Sequence, residues 1–131
     1  MCHSCKILRP PRSFHCAICD CCIEIHDHHC PWLGTCIGHR NFKSFMHFIQ
    51  LLFFLAFFAF FPSLFTFLEL FDIEKKTKFE EIRYVSSMSL IAFLGGFLLV
   101  FIYFICYEYF LILRNTTGNE YIRNKWNGAI K

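Results

Sequence analysis

The chain has 131 residues, of which 56% are hydrophobic and 19 are phenylalanine, and its formal net charge is +3. That length suffices for one ordinary domain, but the apolar surface is more than so short a soluble chain can bury. The basic residues are scattered and no phosphate-binding glycine loop occurs, so no nucleic-acid partner is expected.

Residues 1–44 come first and are rich in Cys and His. Eight of the nine cysteines fall before residue 37. Cys2-x-x-Cys5 and Cys16-x-x-Cys19 have knuckle spacing, in which one turn of backbone presents two thiolates to a tetrahedral zinc at about 2.3 Å. His15, Cys22, His29 and Cys36 complete eight ligands, enough for two sites. Spacing alone does not fix the pairing, since His3, Cys21 and His26 are also at hand. A RING-type ubiquitin ligase has eight Cys/His ligands too, but its closing CxxC pair is missing here. With Pro10-Pro11, Pro31 and little apolar periodicity, residues 1–40 are expected to be loops and short hairpins that fold because metal holds them.

Asp27-His28-His29-Cys30 sets a carboxylate, two imidazoles and a thiol side by side, with Pro31-Trp32 following. Thiolate rather than thiol is the nucleophile, so a cysteine near neutral pH needs an adjacent base. An imidazole supplies one, and a carboxylate fixes its tautomer. Neighbours in sequence usually point apart, so a tight, metal-pinned turn is expected to bring Asp27, His28 and Cys30 together.

Two apolar runs follow. Ser44–Leu68 has no Asp, Glu, Lys or Arg across 25 residues, and Tyr84–Tyr107 none across 24. At about 1.5 Å per residue either run crosses a ~30 Å hydrocarbon core. The expectation is an α-helical integral membrane protein carrying a small zinc-stabilised, loop and β-hairpin cysteine-rich domain. Its division is 1–44 for that domain, 45–113 for the membrane part, with helices near 46–68 and 86–112 joined by a loop at 69–83, and 114–131 for the tail. Residues 1–44 carry five basic and three acidic side chains, the tail four and one, and 69–83 four and five. The positive-inside rule then places both ends in the cytosol and the loop outside it. A reducing cytosol favours metal over disulfides for the Cys-rich segment. Pro62 is expected to kink the first helix, Gly95-Gly96 to let a neighbouring helix approach, and Glu108 to snorkel toward the interface near Arg114. In the tail, Thr117 and Glu120 fit a capping box. A helix is expected from there to about Asn127, ended by Gly128, with Ile122, Trp126 and Ile130 as an apolar stripe.

Cys2-x-x-Cys5, Lys6, Arg9-Pro10-Pro11-Arg12, His15-Cys16-x-x-Cys19, Cys22, Asp27-His28-His29-Cys30-Pro31-Trp32, Cys36-Ile37-Gly38 and Arg40-Asn41 together resemble the cysteine-rich domain of DHHC-type protein S-acyltransferases. The match covers about residues 2–45, and the apolar remainder looks like that family's last two membrane helices. By this resemblance Cys2, Cys5, His15 and Cys22 hold one structural zinc, and Cys16, Cys19, His29 and Cys36 the other. Cys30 is the acyl-accepting nucleophile, His28 its base and Asp27 the residue that orients the base; Cys21 is a bystander. The family's two preceding helices and its Asp-Pro-Gly motif are absent, so the chain looks like a fragment. The tail motif Thr-Thr-x-Glu is stretched, since Gly118-Asn119 separates Thr116-Thr117 from Glu120.

The implied activity is transfer of a long-chain fatty acyl group, such as palmitoyl, from acyl-CoA to protein cysteine thiols through a thioester on Cys30. Phe-rich helices would line an apolar slot for the chain, and Lys6, Arg9 and Arg12 would either meet CoA phosphates or form a solvated basic face near anionic lipid. Expected partners are acyl-CoA, the lipid bilayer and proteins with cytosolic juxtamembrane cysteines. The expected location is an endomembrane of Golgi or ER, or the plasma membrane. Two rivals are a non-catalytic zinc module that docks proteins at a membrane, in which Cys30 would not matter, and an inactive relative.

Overall fold

The computed structural model of the protein describes residues 1–73 and 77–123. Strand β1 (Phe14–Cys16) pairs antiparallel with β2 (Cys21–Ile23), and β3 (His28–Cys30) with β4 (Thr35–Ile37). Helices α1 (Phe42–Phe71), α2 (Lys78–Leu113) and α3 (Gly118–Ile122) follow. The chain divides into two compact units, Met1–His47 with Cys106–Lys131, and Phe48–Ile105. The last turns of α2 thus belong with the cysteine-rich segment.

In the first unit the strands are only three residues long, and the turns do most of the shaping. A left-handed residue follows each CxxC: Lys6 at φ 54° after Cys5 and Asp20 at φ 48° after Cys19. Such a conformation costs a non-glycine residue about 1–2 kcal/mol, so it persists only where its surroundings impose it. The Cys2 N–H donates to the Ile7 carbonyl at 2.8 Å and closes the first knuckle. In the second knuckle, pairing of Cys16 with Cys21 across the turn does the same. Gly38 locks the hairpins together. A Cβ there would lie 2.7 Å from Ile23 Cγ2 and 2.9 Å from the Glu24 carbonyl oxygen, so only glycine fits. Asn41 ties β4 to α1: its Oδ1 accepts from the Gly38 N–H at 3.0 Å and its Nδ2 donates to the Cys36 carbonyl at 2.9 Å.

The other end of this unit is a helix stop. Asn115 is left-handed at φ 49°, the Asn115 N–H donates to Ile112 O at 2.9 Å and the Thr116 N–H to Leu111 O at 3.1 Å. This is a Schellman ending, with asparagine in the role glycine usually takes. Thr117 then caps α3 in a full capping box with Glu120, as its spacing led one to expect. That helix is described to Ile122, and Trp126, Asn127, Gly128 and Ile130 lie outside the described residues.

In the second unit both helices are long and apolar enough to cross a membrane. Their large side chains point outward, with Phe58 69%, Phe65 71% and Leu99 71% exposed, the reverse of a buried core helix. The serine hydroxyls bond within their own helices, Ser63 to Ala59 O at 2.9 Å and Ser87 to Tyr84 O at 2.8 Å, so these donors are satisfied without water. The helices exceed the expected bounds. The segment at 78–83 is helical because Thr77 and Glu80 form a second capping box, with Thr77 N–H to Glu80 Oε2 at 2.8 Å and Glu80 N–H to Thr77 Oγ1 at 3.4 Å. Its charges read as loop, but its first turn carries Glu80 and Glu81, where acids suit a helix start. α1 runs through Pro62 without a break. A Cβ on Gly95 would meet Phe60 of α1 at an ordinary 3.6 Å, and one on Gly96 would meet nothing within 4 Å among the described residues.

Candidate metal centres and active site

Strand alternation builds both metal clusters. On β1, His15 and Cys16 point to opposite faces. His15, paired with Cys22 across the hairpin, joins Cys2 and Cys5; Cys16 joins Cys19, His29 and Cys36, the last two being a cross-strand pair of the second hairpin. In each cluster the four ligand atoms lie within 4.8 Å of one another. Cys5 Sγ is 3.3 Å from His15 Nδ1 and 3.7 Å from Cys22 Sγ. His29 Nδ1 is 3.6, 3.4 and 3.6 Å from the sulfurs of Cys16, Cys19 and Cys36. Ligands at about 2.0–2.3 Å from a tetrahedral ion stand roughly 3.4–3.8 Å apart, so thiol and imidazole are spaced to share one ion and fit zinc. These groups are the ones that the resemblance paired. Cys21 is exposed and His26 buried against Phe14 at 5.2 Å, and neither enters a cluster.

The same alternation on β3 sorts three consecutive side chains. His29 faces the metal cluster, while His28 and Cys30, two apart, share the other face. The expected tight turn is therefore not needed; three residues of strand bring imidazole and thiol together. Asp27 sits just before the strand, its N–H bonded to Ile37 O at 2.9 Å, and its Oδ2 lies 2.7 Å from His28 Nδ1. With Nδ1–H donating to the carboxylate, the lone pair is on Nε2. The Asp27 hydrogen bond holds His28 above its ordinary value of 6.5, and Cys30 adds a smaller push in the same direction. That places the value above the ordinary one at which a base of this kind would be expected to titrate. Cys30 is buried, and Phe45 sets its ring edge-on to His28 at 5.2 Å.

The tail closes over this cluster. Gly118 N–H donates to Asp27 Oδ1 at 2.6 Å, and Thr117 Oγ1 to the His26 carbonyl at 2.9 Å. Arg12 grips Glu120 with both fork nitrogens at 2.7 and 2.6 Å, and its Nη2 reaches Asn115 O at 3.0 Å. Arg12 is thus engaged within the protein. Arg9 lies against Cys2, Nη2 to Sγ at 3.6 Å. The stretched Thr-Thr-Gly-Asn-Glu spacing is what the capping box requires, since Thr117 and Glu120 are three apart. Thr116 is buried beside them.

Glu108 does not snorkel. It is 3% exposed, its Oε2 has no hydrogen-bond partner among the described residues, and it feels the charges of Asp27 and His28. Its position one helical turn from Leu111, which is 1% exposed, puts it on the face of α2 that the first unit covers. An acid inside an apolar run was the available signal; its direction was not. The Gly118 amide left no sequence signal at all.

A family model for the DHHC palmitoyltransferase matches residues 1–125. Palmitoyltransferase ZDHHC9 of Homo sapiens is 38% identical over 136 aligned residues, covering 97% of this chain and 35% of its own length. Palmitoyltransferase ZDHHC5-A of Danio rerio is 33% identical over 129, covering 98% of this chain and 17% of its own length. Palmitoyltransferase ERF2 of Candida glabrata is 55% identical over 47 residues, 36% of this chain. The chain spans about a third or less of the length of these relatives. The match runs through the hairpins and both long helices, and the chain belongs to the DHHC palmitoyltransferase family.

Proposed function

We propose that this chain is a protein S-acyltransferase that carries a long-chain acyl group from acyl-CoA to protein cysteine thiols by way of a thioester on Cys30. The observation that carries the reading is Cys30 itself: a thiol outside both metal clusters, on one strand face with an imidazole that a carboxylate holds. The names of the relatives point the same way.

In the first step Cys30 gives its proton to His28 Nε2 and the thiolate attacks the thioester carbonyl. The bond from carbonyl carbon to CoA sulfur breaks, a bond to Cys30 Sγ replaces it, and the CoA thiolate takes the proton from His28. In the second step an incoming protein thiol loses its proton to His28 and attacks the Cys30 thioester, which returns Cys30 to the thiol. Asp27 stabilises the imidazolium in both. Cys2, Cys5, His15 and Cys22, and Cys16, Cys19, His29 and Cys36, would each hold a zinc ion whose part would be structural, because four protein ligands would leave no open position. The long helices cross the bilayer, the cluster faces the cytosol, and Lys6 and Arg9 supply positive charge for CoA phosphates.

The test is labelling of purified protein by palmitoyl-CoA, wild type beside Cys30→Ala and Cys21→Ala, with hydroxylamine release to identify a thioester. Label is expected on wild type and Cys21→Ala and lost in Cys30→Ala with zinc content unchanged. Label surviving in Cys30→Ala but lost in Cys21→Ala would reassign the nucleophile, and no label on the wild type would end the acyltransferase reading.

A further inference from the structure

Asp27 is 4% exposed, and a buried carboxylate is stable only with donors on its oxygens. One donor, His28 Nδ1 on Oδ2, belongs to a side chain whose charge changes during acyl transfer. The other is the Gly118 main-chain N–H on Oδ1, at 2.6 Å, and it comes from 91 residues away. A main-chain amide cannot rotate away or titrate, so it fixes the plane of the carboxylate. Gly118 is the first residue of α3, where the helix offers its N–H no acceptor. Thr117 aims that amide through its extended backbone, φ −93° and ψ 160°, and is itself pinned to the His26 carbonyl. A Cβ at Gly118 would stand 3.2 Å from Oδ1 and 3.6 Å from Oδ2, so the close approach favours glycine here.

We propose that Gly118 is a positioning residue for acyl loading: its main-chain N–H holds one oxygen of Asp27 so that the other stays on His28. The proposal rests on the acyl-transfer reading above. It assigns to the chain beyond α2 a part in orienting the base, made by backbone rather than by a side chain.

Gly118→Pro removes the N–H and sets a ring carbon where it pointed, at a position whose backbone accepts proline. Proline is accepted at the first position of a helix, and the Thr117 backbone has the conformation required before proline. Gly118→Ala keeps the N–H and adds only the crowding. The experiment is single-turnover loading of the purified zinc-loaded chain with palmitoyl-CoA, in wild-type and Asp27→Ala backgrounds. Gly118→Pro should slow loading about 10- to 100-fold, the worth of a hydrogen bond to a charged group. The palmitoyl-CoA concentration at half-maximal rate and the zinc content should not change, and Gly118→Ala should show a smaller loss. In Asp27→Ala neither change at Gly118 should slow loading further, because groups acting through one another are not additive. Equal losses in both backgrounds, or no loss in the wild-type background, would overturn the proposal. Loss of zinc by the proline variant would make the Gly118 amide a support of the fold rather than of the base, and would overturn the proposal as well. Full-rate loading by Asp27→Ala would overturn this proposal alone, whereas no loading by the wild type would bring down the acyl-transfer reading and this proposal with it.

Discussion

In the unit made of Met1–His47 and Cys106–Lys131, single atoms set the structure. Its strands are three residues long, and eight ligand atoms in two clusters, a glycine with no room for a methyl group and a few long-range hydrogen bonds hold them. In Phe48–Ile105 no single atom has that weight. Phenylalanines in pairs such as Phe57–Phe61 at 4.7 Å and Phe67–Tyr84 at 5.2 Å cover long helices, and one ring can stand in for another. The first unit should therefore fail abruptly at particular residues and the second degrade gradually. That difference is open to experiment.

The largest expected effect is loss of metal. A chelator, or Cys5→Ser or Cys19→Ser, should release residues 1–41 to protease while circular dichroism still reports the long helices. A structural zinc contributes about 10–16 kcal/mol, more than a core this thin can replace. Collapse of all helical signal along with the zinc would show the two units to be one. Next comes the base. His28→Ala should slow loading by about 10²–10⁴-fold with two zinc ions still bound, and Asp27→Asn should do less. Because Asp27 raises His28, its basic form gains only above the ordinary value, so loading should rise with pH through a midpoint above 6.5. A midpoint below 6.5 would mean that the Asp27 bond is not made in the working enzyme.

Smaller is the Arg12–Glu120 clamp, whose side chains are 33% and 13% exposed. Arg12→Ala should cost about 1–2 kcal/mol, seen as a lower denaturant midpoint for the first unit. Arg12 holds Glu120 below the usual carboxylate range. Its stabilisation is therefore present above the unfolded value and lost as pH falls through the lower folded one, and Arg12→Ala should remove that acid sensitivity. Smallest is Gly95→Ala in the second unit, where a Cβ has ordinary room. It should change thermal stability by less than about 1 kcal/mol, with either sign, since helix propensity favours alanine. A large loss would mean that the second unit too depends on single positions.

The same contrast decides what the sequence makes legible. Ligand spacing in Cys2-x-x-Cys5 and Cys16-x-x-Cys19 is local, and so are the Thr117–Glu120 box and the uncharged runs, so each can be read along the chain. Arg12 with Glu120 and Asp27 with Gly118 are 108 and 91 residues apart. No pattern in either segment announces such a bond, because each depends on where the hairpins and the end of α2 come to rest. Glu108 lies between these cases: its oddity in an apolar run is visible, but burial or snorkelling depends on what covers that face. Short hairpins are expected over residues 1–40, but not where their strands fall: the β3 strand, His28-His29-Cys30, is too short to show alternation.

That strand makes the spacing of the family's signature a matter of parity. Odd and even positions serve different chemistries, so an added residue between His29 and Cys30 would turn the thiol toward the metal as a surplus ligand and leave His28 facing a foreign side chain. Two added residues would restore the face but carry the sulfur about 7 Å along the strand, out of reach of the imidazole. Neither length can be absorbed. The four letters therefore tolerate no change in count, and an engineered acyltransferase site built on such a hairpin would inherit the same rule.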